Sequence, residues 1–88
     1  MKLKEGFVLR KILGDAIVIA EGEMSKSFHG MIKLNDTAAD IWEWFAEGKS
    51  EEEAAVLLAE KYELSVDEAS GDVRAVAEKL IAAGIMEA

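Results

Sequence analysis

The sequence predicts an α+β fold that is winged-helix-like, a three-stranded antiparallel sheet followed by three helices. Three observations carry this expectation. Two runs rich in β-branched and large apolar residues, FVLRKIL and AIVIA, flank a glycine turn near the start. Helical periodicity takes over from Asn35 onward. Two serines then stand three residues ahead of a glutamate, Ser50 before Glu53 and Ser65 before Glu68, the capping-box signature of a helix start.

The first strand is expected over Phe7–Leu13 and the second over Ala16–Ala20, with Gly14-Asp15 as a two-residue hairpin loop. A looser link, EGEMSKS, leads to a third strand, FHGMIKLN, over Phe28–Asn35. Alternation there points Phe28, Gly30, Ile32 and Leu34 one way and His29, Met31 and Lys33 the other. Asn35 or Asp36 caps the first helix, whose Ala38, Ile41, Trp42 and Phe45 share a face. Trp44 falls about 100° off that stripe, where it covers the sheet edge or the core rim or forms part of a contact surface. Gly48 stops the helix in the left-handed conformation.

The second helix starts on Glu51, Glu52 and Glu53, well placed at its positive end, and turns Ala54, Leu57, Leu58 and Tyr62 inward. Leu64 and Ala69 offer a hydrophobic staple for the third helix. That helix runs to about Ala83 and buries Ala69, Val73, Val76, Ala77 and Leu80. Gly84 ends it, and Ile85 and Met86 pack back. Gly71 within it costs roughly 1 kcal/mol relative to alanine; close approach of another backbone is the expected reason.

Composition narrows the function. The 88 residues make a single domain, 1–88, that hides only about 60–65% of its unfolded surface. No apolar run reaches membrane-span length and the opening MKLKEGF lacks a signal-peptide stretch, so the expectation is a cytoplasmic protein without membrane contact. With no cysteine there is no disulfide framework or thiol nucleophile.

The sequence also argues against an enzyme. His29 is the one histidine, so Ser25, Ser27, Ser50, Ser65 and Ser70 have no relay to activate them. Consecutive glutamates of the SEEE run point about 100° apart on a helix and cannot converge on one metal ion. The glycines are scattered, with no phosphate loop, and no cofactor is implied.

Charge argues against nucleic acid. The net charge of −8 divides into +2 over residues 1–34 and −10 over residues 35–88. The third helix, which a winged-helix protein would place in the major groove, directs Asp67, Glu68, Asp72 and Glu78 outward against Arg74 and Lys79. Such a helix repels the phosphates that supply most of DNA affinity.

The third strand suggests a different role. At a sheet edge its backbone donors and acceptors are unpaired, and with Lys33 and no proline it is weakly protected. An extended peptide can pair with it while the adjacent third helix supplies apolar pockets. The same edge can pair with its own copy, so a homodimer is a further expectation.

The stretch LNDTAADIWEWFAEGKSEEEAAVLLAEKYELSVDEASGDVRAVAEKLIAAGIME also resembles the PqqD family, small peptide chaperones named for pyrroloquinoline quinone (PQQ) biosynthesis. The matching features are Leu34-Asn35-Asp36-Thr37-Ala38-Ala39 running into Ile41-Trp42, Gly48 before a capped helix ending Lys61-Tyr62, Asp72-Val73, and Gly84-Ile85. The resemblance covers about residues 6–87 and implies a recognition element for precursor peptides of ribosomally made, post-translationally modified products (RiPPs).

In such domains the leader segment adds to the third strand, lies against the third helix and is presented to a maturation enzyme. In the namesake pathway that partner is a radical S-adenosylmethionine (SAM) enzyme. Carried onto this chain, the resemblance implies a groove of Phe28, His29, Gly30, Met31, Ile32, Lys33 and Leu34 with Val73, Val76, Ala77 and Leu80, and a rim of Asp72, Arg74 and Lys79. The helical wheel leaves open whether the Val76 flank or the Ala77/Ile81 flank meets the peptide. The alternatives are a winged-helix DNA-binding regulator and an acidic protein-docking subunit. Steep salt dependence marks the first of these and an intermediate response the second, against a mild response for leader binding.

Overall fold

The computed structural model describes residues 2–28 and 30–88. The elements run in the order β1 (Lys2–Leu3), β2 (Phe7–Ile12), β3 (Asp15–Ala20), α1 (Met24–Ser27), β4 (Ile32–Leu34), α2 (Asp36–Ala46), α3 (Glu51–Tyr62), α4 (Val66–Ala82) and β5 (Met86–Glu87). Strands β2, β3 and β4 form an antiparallel sheet in that order. This is the α+β, winged-helix-like arrangement expected, with two additions. Strands β1 and β5 make a separate antiparallel pair, Lys2 opposite Glu87 and Leu3 opposite Met86. The single turn of α1 occupies the link between β3 and β4.

The hairpin turn lies one residue earlier than expected. Ile12 pairs with Asp15, leaving Leu13 and Gly14 as the loop residues, both at positive φ (51° and 86°). Two positive φ values give the primed turn whose twist matches the strands. Leu13 is a poor residue for that backbone and is fully exposed at the tip (100%).

The third strand of the sheet is shorter than Phe28–Asn35. Among the described residues only Ile32–Leu34 pairs with β3, Val18 opposite Ile32 and Ala16 opposite Leu34. Upstream, the Phe28 ring packs edge-on against Phe7 at 5.0 Å, while the Phe28 amide closes α1 by donating to the Met24 carbonyl. These contacts draw Phe28 away from the β3 ladder. Gly6 makes the adjoining crossing possible. Its φ is +94° and a Cβ there would stand 2.7 Å from the Met24 Cβ, a distance side chains do not tolerate.

Local chemistry starts and stops each long helix. The Asn35 side chain accepts from the Ala38 amide, and full capping boxes form at Ser50/Glu53 and Ser65/Glu68. Gly48 and Gly84 end α2 and α4 at positive φ. The next amides donate backward there, Lys49 to the Trp44 carbonyl and Ile85 to the Leu80 carbonyl. Glu63 takes the left-handed position after α3, with φ 56°.

One core joins sheet and helices: Ala16, Val18 and Leu34 from the sheet, Ile41, Trp42 and Phe45 from α2, Leu58 from α3, Val73, Ala77 and Leu80 from α4, then Ile85 and Met86. Trp44 packs half-buried on its rim.

Three inward assignments are corrected. In α3 the buried face is Ala54, Ala55, Leu58 and Ala59, because small side chains let α3 approach its neighbours along that stripe. Leu57 is half-buried, and Tyr62 is exposed with its hydroxyl donating to Asp40 of α2. Lys61 joins that clasp at 2.9 Å from Asp40 Oδ2. In α4, Val76 is half-buried. A Cβ at Gly71 meets nothing within 4 Å, so close backbone approach is not its reason, and nothing else in the structure supplies one.

Candidate functional site

The edge is built by the ladder itself. Strand β4 pairs with β3 on one side, and no described strand pairs with its other side. Alternation sets its side chains, with Ile32 half-buried, Lys33 exposed and Leu34 buried. Lys33 reaches over to Asp15 at the start of β3, at 3.4 Å. Strand β2 is the opposite border of the sheet, and its flank carries a groove lined by Leu3, Phe7, Leu9, Trp42 and Ala46. Being a border strand does not by itself single out β4. Its position beside α4 does.

Two adjoining depressions share Asn35 and Lys79. One, about 350 Å³, lies between the start of α2 and the outer flank of α4, lined by Asn35, Thr37, Ala38, Asp72, Ala75, Val76 and Lys79. The other continues past the end of β4, along Lys33, Leu34, Asn35 and Asp36 to the hairpin residues Gly14, Asp15 and Ala16. Together they form a shallow groove from the end of the edge strand along one flank of α4.

The helix is oriented by its core stripe. Val73, Ala77 and Leu80 are buried at no more than 1% exposure, which turns Asp72, Val76 and Lys79 toward the groove. Among the expected site residues, Val76, Asp72, Lys79, Lys33 and Leu34 therefore line one continuous feature, and the Val76 flank is the one beside the strand end. Val73, Ala77 and Leu80 support it from beneath.

Arg74 occupies the opposite flank. It lies 3.3 Å from Glu51 of α3 and 3.1 Å from Glu78. Hydrogen bonding to Glu51 and the Glu51 charge hold the Arg74 pKa above its ordinary value. Phe28 is committed to Phe7, Gly30 is exposed, and Met31 is exposed at 69%. The reading of His29 lies outside the described residues.

Asn35, Thr37, Ala38 and Ala75 also line the groove and were not among the expected site residues. Asn35 and Ala38 carried a signal only for capping and core, since their proximity to α4 is a tertiary fact.

Among the described residues no group of three or more His, Cys, Asp or Glu side chains could hold a metal ion. None of their polar or charged side chains is buried, and no helix is long and apolar enough to cross a membrane. The exposed acids of α4 and the engagement of Arg74 leave Lys79 as the helix's one basic side chain without an ion-pair partner among the described residues.

These features define a class, a small α+β winged-helix-like domain whose short edge strand runs into a groove beside its last long helix. The chain belongs to the PqqD family. The family model described as Coenzyme PQQ synthesis protein D (PqqD) matches residues 16–86. The fold is similar to a solved structure, TbiB1 in complex with the TbiA(beta) leader peptide, with a TM-score of 0.80 at 20% identity over 99% of this chain and 95% of that one. No curated protein sequence matches.

Proposed function

We propose that this protein is a RiPP recognition element, a non-catalytic peptide chaperone. It binds the leader segment of a ribosomally made precursor and presents it to the enzyme that modifies the precursor, of which a radical SAM enzyme is one type. The observation that carries the reading is the junction of β4 with the α4 groove in a chain of the PqqD family. The similar fold of TbiB1, which is seen with a leader peptide, supports it.

The energetics fit an extended ligand. Ordering a leader costs roughly 1–2 kcal/mol per residue in backbone entropy. Each hydrogen bond to the edge returns about 0.5–1.5 kcal/mol. The surplus must come from two or three apolar anchors, each contributing about 1.5–3 kcal/mol when fully buried. Half-buried Val76 and Ile32 and exposed Met31 are the larger apolar side chains available near the strand and the groove. Affinity on the order of −8 to −9 kcal/mol, micromolar to sub-micromolar, follows.

Affinity capture of the tagged protein from its native lysate, with mass spectrometry of what remains bound, tests the reading. A short ribosomal peptide together with a modifying enzyme is expected. DNA, or a large partner without peptide, would overturn it. Proline at both Ile32 and Lys33 removes an edge donor in either register and should abolish peptide capture. Unchanged capture by a folded double variant would rule out strand addition.

A further inference from the structure

The groove has a polarity of its own. Asp72, Val76 and Lys79 lie at i, i+4 and i+7 on one flank of α4 and all line it, an acid, an apolar side chain and a base in a row. Both charges are exposed, and neither has an ion-pair partner among the described residues. That is unexpected for Lys79, since acids outnumber bases 18 to 10 in this chain. Its own helix explains how it stays free, because the neighbours one turn away are Ala75, Val76, Ala82 and Ala83. Lys33, the other cation lining the groove, is instead engaged by Asp15 at 3.4 Å.

Asp72 and Lys79 are seven residues apart, about 10 Å along the helix axis. That is close to the screening length of roughly 8 Å at physiological salt, so each is read by a ligand largely on its own. An extended chain advances about 3.3 Å per residue and turns every second side chain to the same face. Three same-face side chains therefore span about 13 Å, which flexible lysine and aspartate side chains can match.

Resting on the leader-binding reading, the geometry points to a specificity rule. The groove selects an extended segment that carries a basic, an apolar and an acidic residue at alternate positions. The basic residue sits against Asp72, the apolar one on Val76 and the acidic one against Lys79. The two charges thereby fix both the direction and the register of the added strand, which backbone hydrogen bonds alone leave free to slip.

Selection of a displayed library of random twelve-residue peptides against the wild-type protein and the charge-exchanged D72K/K79D variant tests this rule. Both side chains are exposed, so the variant keeps its fold, checked by circular dichroism. Wild type is expected to enrich a base and an acid four positions apart around an apolar residue. The variant should enrich the reversed order. A representative wild-type peptide should lose at least tenfold in affinity on the variant and regain it when its own two charges are exchanged. Peptides that shift the β4 and Val76 amide resonances yet bind both proteins within twofold would overturn the polarity rule and leave leader binding standing. Selected peptides that leave those resonances unmoved, or a library that yields no binders, would overturn leader binding and the rule with it.

Discussion

The helical half and the sheet half of this molecule follow local rules to different degrees. From Asn35 onward each long helix has a side-chain cap, two of them full capping boxes, and each ends in a left-handed residue or next to one. The sheet half places a leucine at φ 51°, crosses α1 on a glycine that admits no Cβ, and offers β4 as a strand of three residues. The difference separates what holds the fold from what the fold presents. The helices start and stop on signals within their own sequence, whereas the sheet half depends on the distant contacts of Gly6 and Phe28 and ends in an edge beside the groove.

Removing core from the helical half should have the largest effect. Leu58 of α3 is fully buried against the other elements, so Leu58→Ala is expected to cost about 2–5 kcal/mol, read as a shift of the denaturant midpoint. Gly6→Ala attacks the sheet half at its tightest crossing, where both the φ of +94° and the 2.7 Å approach to the Met24 Cβ oppose a side chain. A loss of about 1–3 kcal/mol is expected. A stability equal to wild type would mean that the crossing does not hold α1 in place.

Next comes a pair of substitutions with opposite signs. Ser65→Ala removes the α4 cap and should destabilise by about 1 kcal/mol. Leu13→Asn suits the left-handed turn position and should stabilise by roughly 1 kcal/mol. Thermal melts of the two variants read both signs, and a destabilised Leu13→Asn would contradict the contrast between the halves.

The smallest effect is that of acid. Burial raises the Asp40 pKa, but hydrogen bonds from Tyr62 and Lys61 outweigh it and hold the carboxyl below its ordinary range. Backbone and side-chain hydrogen bonds from Ser50 lower the Glu53 pKa in the same way. Depressed carboxyl pKa values contribute stability that is present above the unfolded value and lost as pH falls through the folded one. The melting temperature should therefore fall below about pH 4, and Asp40→Asn should flatten part of that fall.

Legibility divides along the same line. The caps at Ser50 and Ser65, the stop at Gly48 and all of the α4 core stripe but half-buried Val76 are readable because they act within four residues. The hairpin loop lies one residue before the Gly14-Asp15 that turn composition favours, because the register that sets Ile12 opposite Asp15 puts Leu13 in the loop. The edge strand is shorter than its alternation suggests, because nothing local reveals the packing of Phe28 on Phe7. In α3, Leu57 and Tyr62 read as core by size, but the stripe that packs is largely alanine. For the site, the sequence suggests both β4 and α4 and leaves the flank open, because the depression that Val76 lines with the start of α2 is a tertiary feature.

Amide exchange at Ile32–Leu34, followed by nuclear magnetic resonance with and without the peptide recovered by capture, is the sharpest test of strand addition to β4. The outward-facing amides of β4 are expected to slow by at least tenfold on binding, with resonance shifts at Val76 and Lys79. Tight binding that leaves the β4 amides exchanging at their free rate would contradict strand addition.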